Sequence, residues 1–255
     1  MDIGIASGAA GLGRSARYRR WRSWGVAYLF LVPTLLGIVL LQVAPVLRSA
    51  YFSFTDFNGV QPPQWVGFEN YANLGGSPLF WKVLRNTVYY TVGFVRLNIL
   101  LALFLALLVN QALRGATFFR ALYFLPVITS LVAISLVWAW RYQPQFGLIN
   151  YFLSVVKIPA PGWLSSTEWS MPALFIMGAW RQAGFNMVIF LAGLKGISQE
   201  LYEAATVDGA GWFRRFIHIT LPMLSPTMFF VTVVSVIGSF QVFEQTYVLT
   251  QGGPA

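Results

Sequence analysis

The chain has 255 residues, of which 57% are hydrophobic and only 10% charged, with a mean hydropathy of +0.64. A soluble domain carries about 25% charged residues, so this composition, with its apolar residues gathered in blocks, excludes a soluble globular fold and marks an integral membrane protein. The net charge of +9 is spread over segments too short to build the folded basic face that nucleic-acid binding needs, and the lack of cysteine excludes disulfides, thiolate metal sites and Cys nucleophiles.

Residues 1–13 (MDIGIASGAAGLG) are small and Gly/Ala-rich, the composition of a disordered tail. Arg14, Arg17, Arg19, Arg20 and Arg22 follow, and then an apolar run over 24–44. A basic head before an apolar run also describes a secretory signal, but signal cores are about 7–15 residues long. This run, at about 1.5 Å per residue, reaches about 30 Å and matches a bilayer core. It is read as the first membrane span, with 1–23 as a basic cytoplasmic N-terminal tail and 24–255 as the transmembrane domain.

Residues 45–85 are polar and aromatic, with Pro62-Pro63 and Gly75-Gly76, and are expected to form an external loop with one short helix near 80–84. Further spans are predicted at about 86–108, 121–140, 171–194 and 223–247. Between them lie a short link carrying Arg114 and Arg120, an external loop over 141–170 with Pro159, Pro161 and Gly162, and a polar cytoplasmic stretch over 195–222. The sequence given runs out in TQGGPA, a loop signal. This arrangement puts ten Lys and Arg on the cytoplasmic side and five on the outer side, in longer loops, as the positive-inside bias requires.

The stretch 202–222, YEAATVDGAGWFRRFIHITLP, does not belong with its apolar neighbours. Residues 198–207 suit a helix carrying Glu200 and Glu203. Gly209 and Gly211 interrupt it, and glycine permits a left-handed turn between helices. A second amphipathic piece follows, with Trp212, Phe213, Phe216, Ile217 and Ile219 apolar and Arg214, Arg215 and His218 polar. Its aromatic face suits either the membrane surface or a docking partner. Pro222 then opens the next span at a tolerated first-turn position. His218 stands alone, without a ligand cluster, so no metal site is expected.

Charges within spans are costly and usually face a cavity or a partner. Arg96 and Arg181 are such residues. Asn98, Gln182, Asn186, Gln241 and Glu244 are polar positions in or near spans, where interhelical hydrogen bonding is the alternative to lining a path. Arg181, Gln182, Asn186, Gln241 and Glu244 are the candidate substrate-path residues.

Glu203-Ala204-Ala205, then three residues and Gly209, then nine residues and Ile219-x-Leu221-Pro222, resembles the signature loop of ABC importer permeases at every spacing. Asp208-Gly209-Ala210 matches its common extended form. WVGFENYANL (65–74), NTVYYT (86–91), the block over 114–150 and VFEQTYVLTQGGPA (242–255) resemble the sugar-importer branch, which includes maltose and glycerol-3-phosphate permeases of the first-subunit type.

The resemblance covers roughly 24–255. It implies an all-α polytopic membrane protein with the type I ABC importer permease fold, five spans visible and a sixth expected beyond the end of the sequence given. It implies a place in a bacterial or archaeal cytoplasmic membrane. The partners it implies are a second homologous permease subunit, two cytoplasmic ATPase subunits, an extracytoplasmic solute-binding protein and membrane lipid, with no nucleic acid. ATP and Mg would be bound by the ATPases and no cofactor by this chain, which contains no GxxxxGK[ST] phosphate loop.

Coupling to the ATPases is thereby assigned to Glu203, Ala204, Ala205, Asp208, Gly209, Ala210, Ile219, Leu221 and Pro222, with the glutamate pairing with a basic residue of the ATPase. The implied function is ATP-driven import of a carbohydrate or carbohydrate-like solute by alternating access, with phosphate or an amino acid as the alternative. A membrane-embedded enzyme would need paired carboxylates, a His cluster or a nucleophile with its base within the spans. This chain offers one His, no Cys and almost no intramembrane acid.

Overall fold

The computed structural model describes residues 24, 28–111 and 115–253. The basic tail over 1–23 and Arg114 lie outside the described residues. Contacts divide the chain into two compact units, one ending at Trp81 and one beginning at Lys82.

In the first unit a single apolar helix, α1, spans Tyr28–Phe52. The sequence placed its end at Ala44, before Pro45, and that boundary is corrected. A proline ring inside an α-helix presses on the carbonyl four residues back. Here a π-helical turn over Val39–Val43 precedes it, with the Ala44 N–H bonded to the Val39 carbonyl, and the wider turn accommodates Pro45 without ending the helix.

The loop that follows is organised. Strands β1 (Thr55–Asp56) and β2 (Gln64–Trp65) pair antiparallel, Thr55 opposite Trp65. Phe54 stacks on Trp65 with ring centroids 5.6 Å apart and meets Phe68 edge-on at 5.3 Å. Asn70 Nδ2 donates to the carbonyls of Ser53 and Thr55, both at 3.0 Å. The motif WVGFENYANL therefore packs the loop. Helix α2 (Glu69–Gly76) leads to α3 (Pro78–Asn110), and the short helix expected near 80–84 is the first part of that 33-residue helix.

In the second unit the span predicted at 121–140 is two helices, α4 (Ala116–Ile128) and α5 (Leu131–Arg141), bent by 98°. Pro126 removes a backbone donor near the end of α4. Thr129 and Ser130 then extend at ψ 145° and 129°, turning the chain. The segment read as loop over 141–170 contains α6 (Leu148–Val155) and a short 3-10 turn at Trp163–Ser165. Trp163 Nε1 donates to Asn150 Oδ1 at 2.6 Å and the Tyr142 hydroxyl donates to the Ala173 carbonyl at 2.9 Å, tying this segment to α7 (Ser170–Lys195).

Helix α7 is the most enclosed of the spans. Its first half packs with Tyr90, Phe94 and Trp138 around Leu174 and Met177, and its second half with Ala102, Ala106, Leu224 and Val231 around Met187 and Phe190. Lipid is as apolar as leucine, so helices in a membrane associate by close packing at small residues. Gly184 is such a point. A β-carbon there would strike the backbone carbonyl of Tyr123 on α4.

Helix α8 (Gln199–Val207) and α9 (Trp212–Phe240) follow. The fifth span was placed at 223–247. Instead α9 starts at Trp212 and stops at Phe240, and Gln241 (φ −98°, ψ 9°) leaves the helical path. A separate helix, α10 (Glu244–Thr250), then packs on α5 and α7. Its Gln245 is buried, held by the Tyr90 hydroxyl of α3. Among the described residues α1, α3, α7 and α9 are each long and apolar enough to cross a membrane, and the bent pair α4–α5 makes a fifth crossing if it is one span.

Candidate functional site: the 195–222 knob and an interhelical polar seam

Ser198 opens α8, its side chain accepting the Glu200 N–H at 3.3 Å, the N-cap arrangement its hydroxyl favours. The other end closes at Gly209, which sits at φ +74°. The Gly209 N–H bonds to the Thr206 carbonyl at 3.0 Å and the Ala210 N–H to the Ala205 carbonyl at 2.8 Å, the paired bonds of a Schellman motif. No heavy atom outside its immediate chain neighbours lies within 4 Å of where a Gly209 β-carbon would stand, so the demand for glycine comes from φ alone. The helix–turn–helix expected over 198–222 is present.

Glu203, Ala204 and Asp208 are exposed, and Ala205 and Ala210 half-buried. Ile219 and Leu221 pack against the apolar cluster of α3, α7 and α9, and this joins the knob to the spans. Trp212 and Phe213 are 65% and 68% exposed. The expectation that Pro222 opens a new helix is corrected. A π-helical turn over Phe216–Thr220, with the Leu221 N–H bonded to the Phe216 carbonyl, carries α9 through Pro222 without a break. The second half of the knob and the span beyond it are therefore one helix.

The candidate path residues do not converge. Arg181 and Gln182 are half-buried on α7, while Gln241 and Glu244 are exposed where α9 gives way to α10. Arg181 Nη2 donates to the Val127 carbonyl at 3.4 Å. The last carbonyls of a helix lack intrahelical partners and favour a cation, so Arg181 caps the broken end of α4. Asn186 is only 1% exposed. Its Nδ2 donates to Asn98 Oδ1 and, at 3.2 Å, to Ser235 Oγ, and Asn98 in turn donates to the Ala179 carbonyl at 3.1 Å. Asn186 thus takes the interhelical alternative.

A polar seam extends from there. Ser239 Oγ donates to Thr91 Oγ1 at 3.0 Å, and Gln245 Nε2 donates to the Tyr90 hydroxyl. The seam joins α3, α7, α9 and α10. Thr91, Ser235, Ser239 and Gln245 were not singled out in the sequence. Their signal was spacing: Thr91 and Asn98 are seven apart, and Ser235 and Ser239 four apart, so each pair shares a helix face.

The family of binding-protein-dependent transport system inner membrane components matches residues 98–254, which takes in α7, the whole knob and α9. The chain belongs to that family. The permease is 36% identical over 232 residues to the lactose transport system permease protein LacF of Rhizobium radiobacter, covering 89% of this chain and 78% of that one. It is 32% identical over 236 residues to the trehalose/maltose transport system permease protein MalF of Thermococcus litoralis, covering 92% and 80%. Among solved structures it resembles a chain of a bacterial alginate ABC transporter in complex with an alginate pentasaccharide-bound periplasmic protein, at a TM-score of 0.77 and 25% identity over 91% of the permease and 78% of that chain.

Proposed function

We propose that the permease carries a carbohydrate or carbohydrate-like solute across a bacterial or archaeal cytoplasmic membrane by alternating access. In this reading it works beside a second permease, receives solute from an extracytoplasmic binding protein and is driven by two ATPase subunits seated on the knob. The observation that carries the solute class is the likeness to LacF and MalF over about nine tenths of the chain. The alginate transporter, solved with its periplasmic protein, supports the binding-protein partner. Exposed Glu203 supports docking, since it is free to meet a basic residue of an ATPase.

Uptake of a labelled disaccharide into vesicles holding the whole complex, with ATP inside and loaded binding protein outside, tests the solute class. Uptake of phosphate or an amino acid in place of sugar would overturn it. Of the five candidates, Gln182, Gln241 and Glu244 are those whose side chains are not hydrogen-bonded to another part of the described chain, whereas Arg181 and Asn186 are. Gln182→Ala and Gln241→Ala should each lower sugar uptake about three- to tenfold, the worth of a neutral hydrogen bond, and Glu244→Ala about ten- to a hundredfold, the worth of one to a carboxylate, with assembly intact. Normal uptake in all three variants would place the path elsewhere.

Orientation is tested by cysteines, because the chain has none of its own. An impermeant thiol reagent applied to intact cells should label Val60→Cys, which is 91% exposed, and spare Asp208→Cys. The opposite pattern would invert the topology.

A further inference from the structure

We infer that Tyr202, Thr206, Arg215 and Thr220 form a clamp that turns the two helices of the knob into one rigid body, and that they are positioning residues for coupling. This rests on the coupling reading above.

Helix α8 has nine residues. Isolated helices shorter than about 12–15 residues are marginal, and the Gly209 turn alone would leave α8 free to swing. A ring of hydrogen bonds prevents this. Within α8 the Thr206 hydroxyl donates to the Tyr202 carbonyl at 2.6 Å. Across the turn Arg215 Nη1 donates to Thr206 Oγ1 at 3.0 Å. On α9 the Thr220 hydroxyl reaches the Arg215 carbonyl at 3.5 Å. The Tyr202 hydroxyl and Thr220 Oγ1, 3.0 Å apart, close the ring.

The proton inventory is consistent. Thr206 spends its hydrogen on the Tyr202 carbonyl, so Arg215 supplies the hydrogen of its bond to Thr206, and either hydroxyl can supply the one between Tyr202 and Thr220. Thr220 is 5% exposed, and a buried hydroxyl is costly unless bonded. The Arg215 bond is charge-assisted and the stronger of the two. None of the four residues is among the fixed positions of the signature loop.

The clamp has a mechanical consequence. A push on the Glu203 face would fold a loose turn at Gly209 and dissipate there. With the two helices clamped, the same push moves α9, a continuous helix whose far end carries Ser235 and Ser239 of the polar seam.

The test uses the whole complex in vesicles, with Tyr202→Phe, Thr220→Val, the pair together, and Thr220→Ser. Three quantities are read: ATPase retained on purification, hydrolysis stimulated by loaded binding protein, and solute moved per ATP. Tyr202→Phe and Thr220→Val should each keep the ATPase bound and lower solute moved per ATP about three- to tenfold. The pair should be no worse than Thr220→Val alone, because Tyr202→Phe removes only a contact that Thr220→Val already removes. Thr220→Ser should work as the unchanged protein does. Unchanged solute per ATP in both single variants, additive losses in the pair, or failure of Thr220→Ser would overturn the clamp. Glu203→Lys separates the two readings. If it destroys docking while the clamp variants work normally, the clamp alone fails; if it too is silent, the coupling reading fails.

Discussion

Gly209→Val is expected to abolish hydrolysis stimulated by loaded binding protein, with the permease still inserted in the membrane. Gly209 holds φ +74° with open space around it, so the penalty is backbone strain and not collision. An L-residue in the left-handed region costs about 1–2 kcal/mol, and a β-branched one sits there worst. The turn relieves that strain by opening, which gives up the two bonds to Thr206 and Ala205. Gly209→Asn, whose side chain tolerates this region, should retain most of the activity.

Glu203→Lys reaches the same end by another route. A contact expected to be attractive becomes a like-charge one, and close interfacial charge pairs are worth about 1.5–7 kcal/mol, so ATPase retention should fall by more than tenfold. Co-purification of the ATPase and stimulated hydrolysis in vesicles are the measurements. Normal docking and turnover in both variants would make 202–222 a polar surface helix and nothing more.

The second large effect is at Gly184. Its Cβ position is occupied by the backbone carbonyl of Tyr123. A flexible side chain can move aside, but a helix backbone cannot without shifting all of α4. Gly184→Val should therefore separate α4 from α7, release the Arg181 cap on Val127 and cost at least the 1–3 kcal/mol typical of overpacking. Yield of folded permease in mild detergent, and its midpoint of thermal inactivation, should both drop. Gly238→Ala is the control, since nothing lies within 4 Å of its Cβ position, and it should behave normally. Equal yields for the two variants would mean that the α4–α7 crossing is looser than described.

The sequence made some of this legible and concealed the rest for identifiable reasons. Hydropathy located α7 to within a residue or two at each end, because its run is bounded by the polar segments that flank it. The knob was legible because glycine at a helix end has one strong use. Two boundaries beside prolines went wrong. The first span was ended at Ala44 and a new helix opened at Pro222, but Pro45 and Pro222 both lie within helices, each preceded by a π turn. A π turn adds one residue within a single turn, too short a phase slip to read from a 3.6-residue periodicity.

The bend at 129–130 and the stop at Gln241 were missed because apolar content shows that a segment is buried in lipid and not which way it runs. Of the polar candidates, Asn186 was found but its use was not. Whether a span amide faces a path or a neighbour depends on where Asn98 and Ser235 fall on other helices, and that is decided by packing.

The π turn at Phe216–Thr220 also bears on how the knob is aimed. A π turn takes up one extra residue by widening the helix locally, instead of advancing it by the roughly 100° that a residue of α-helix subtends. The knob and the face that α9 presents to α7 therefore keep the angular relation of an unbroken α-helix, although the sequence joining them is one residue longer. Loss of one residue from that turn would leave plain α-helix, with the direction of the docking surface and the membrane packing both as they are.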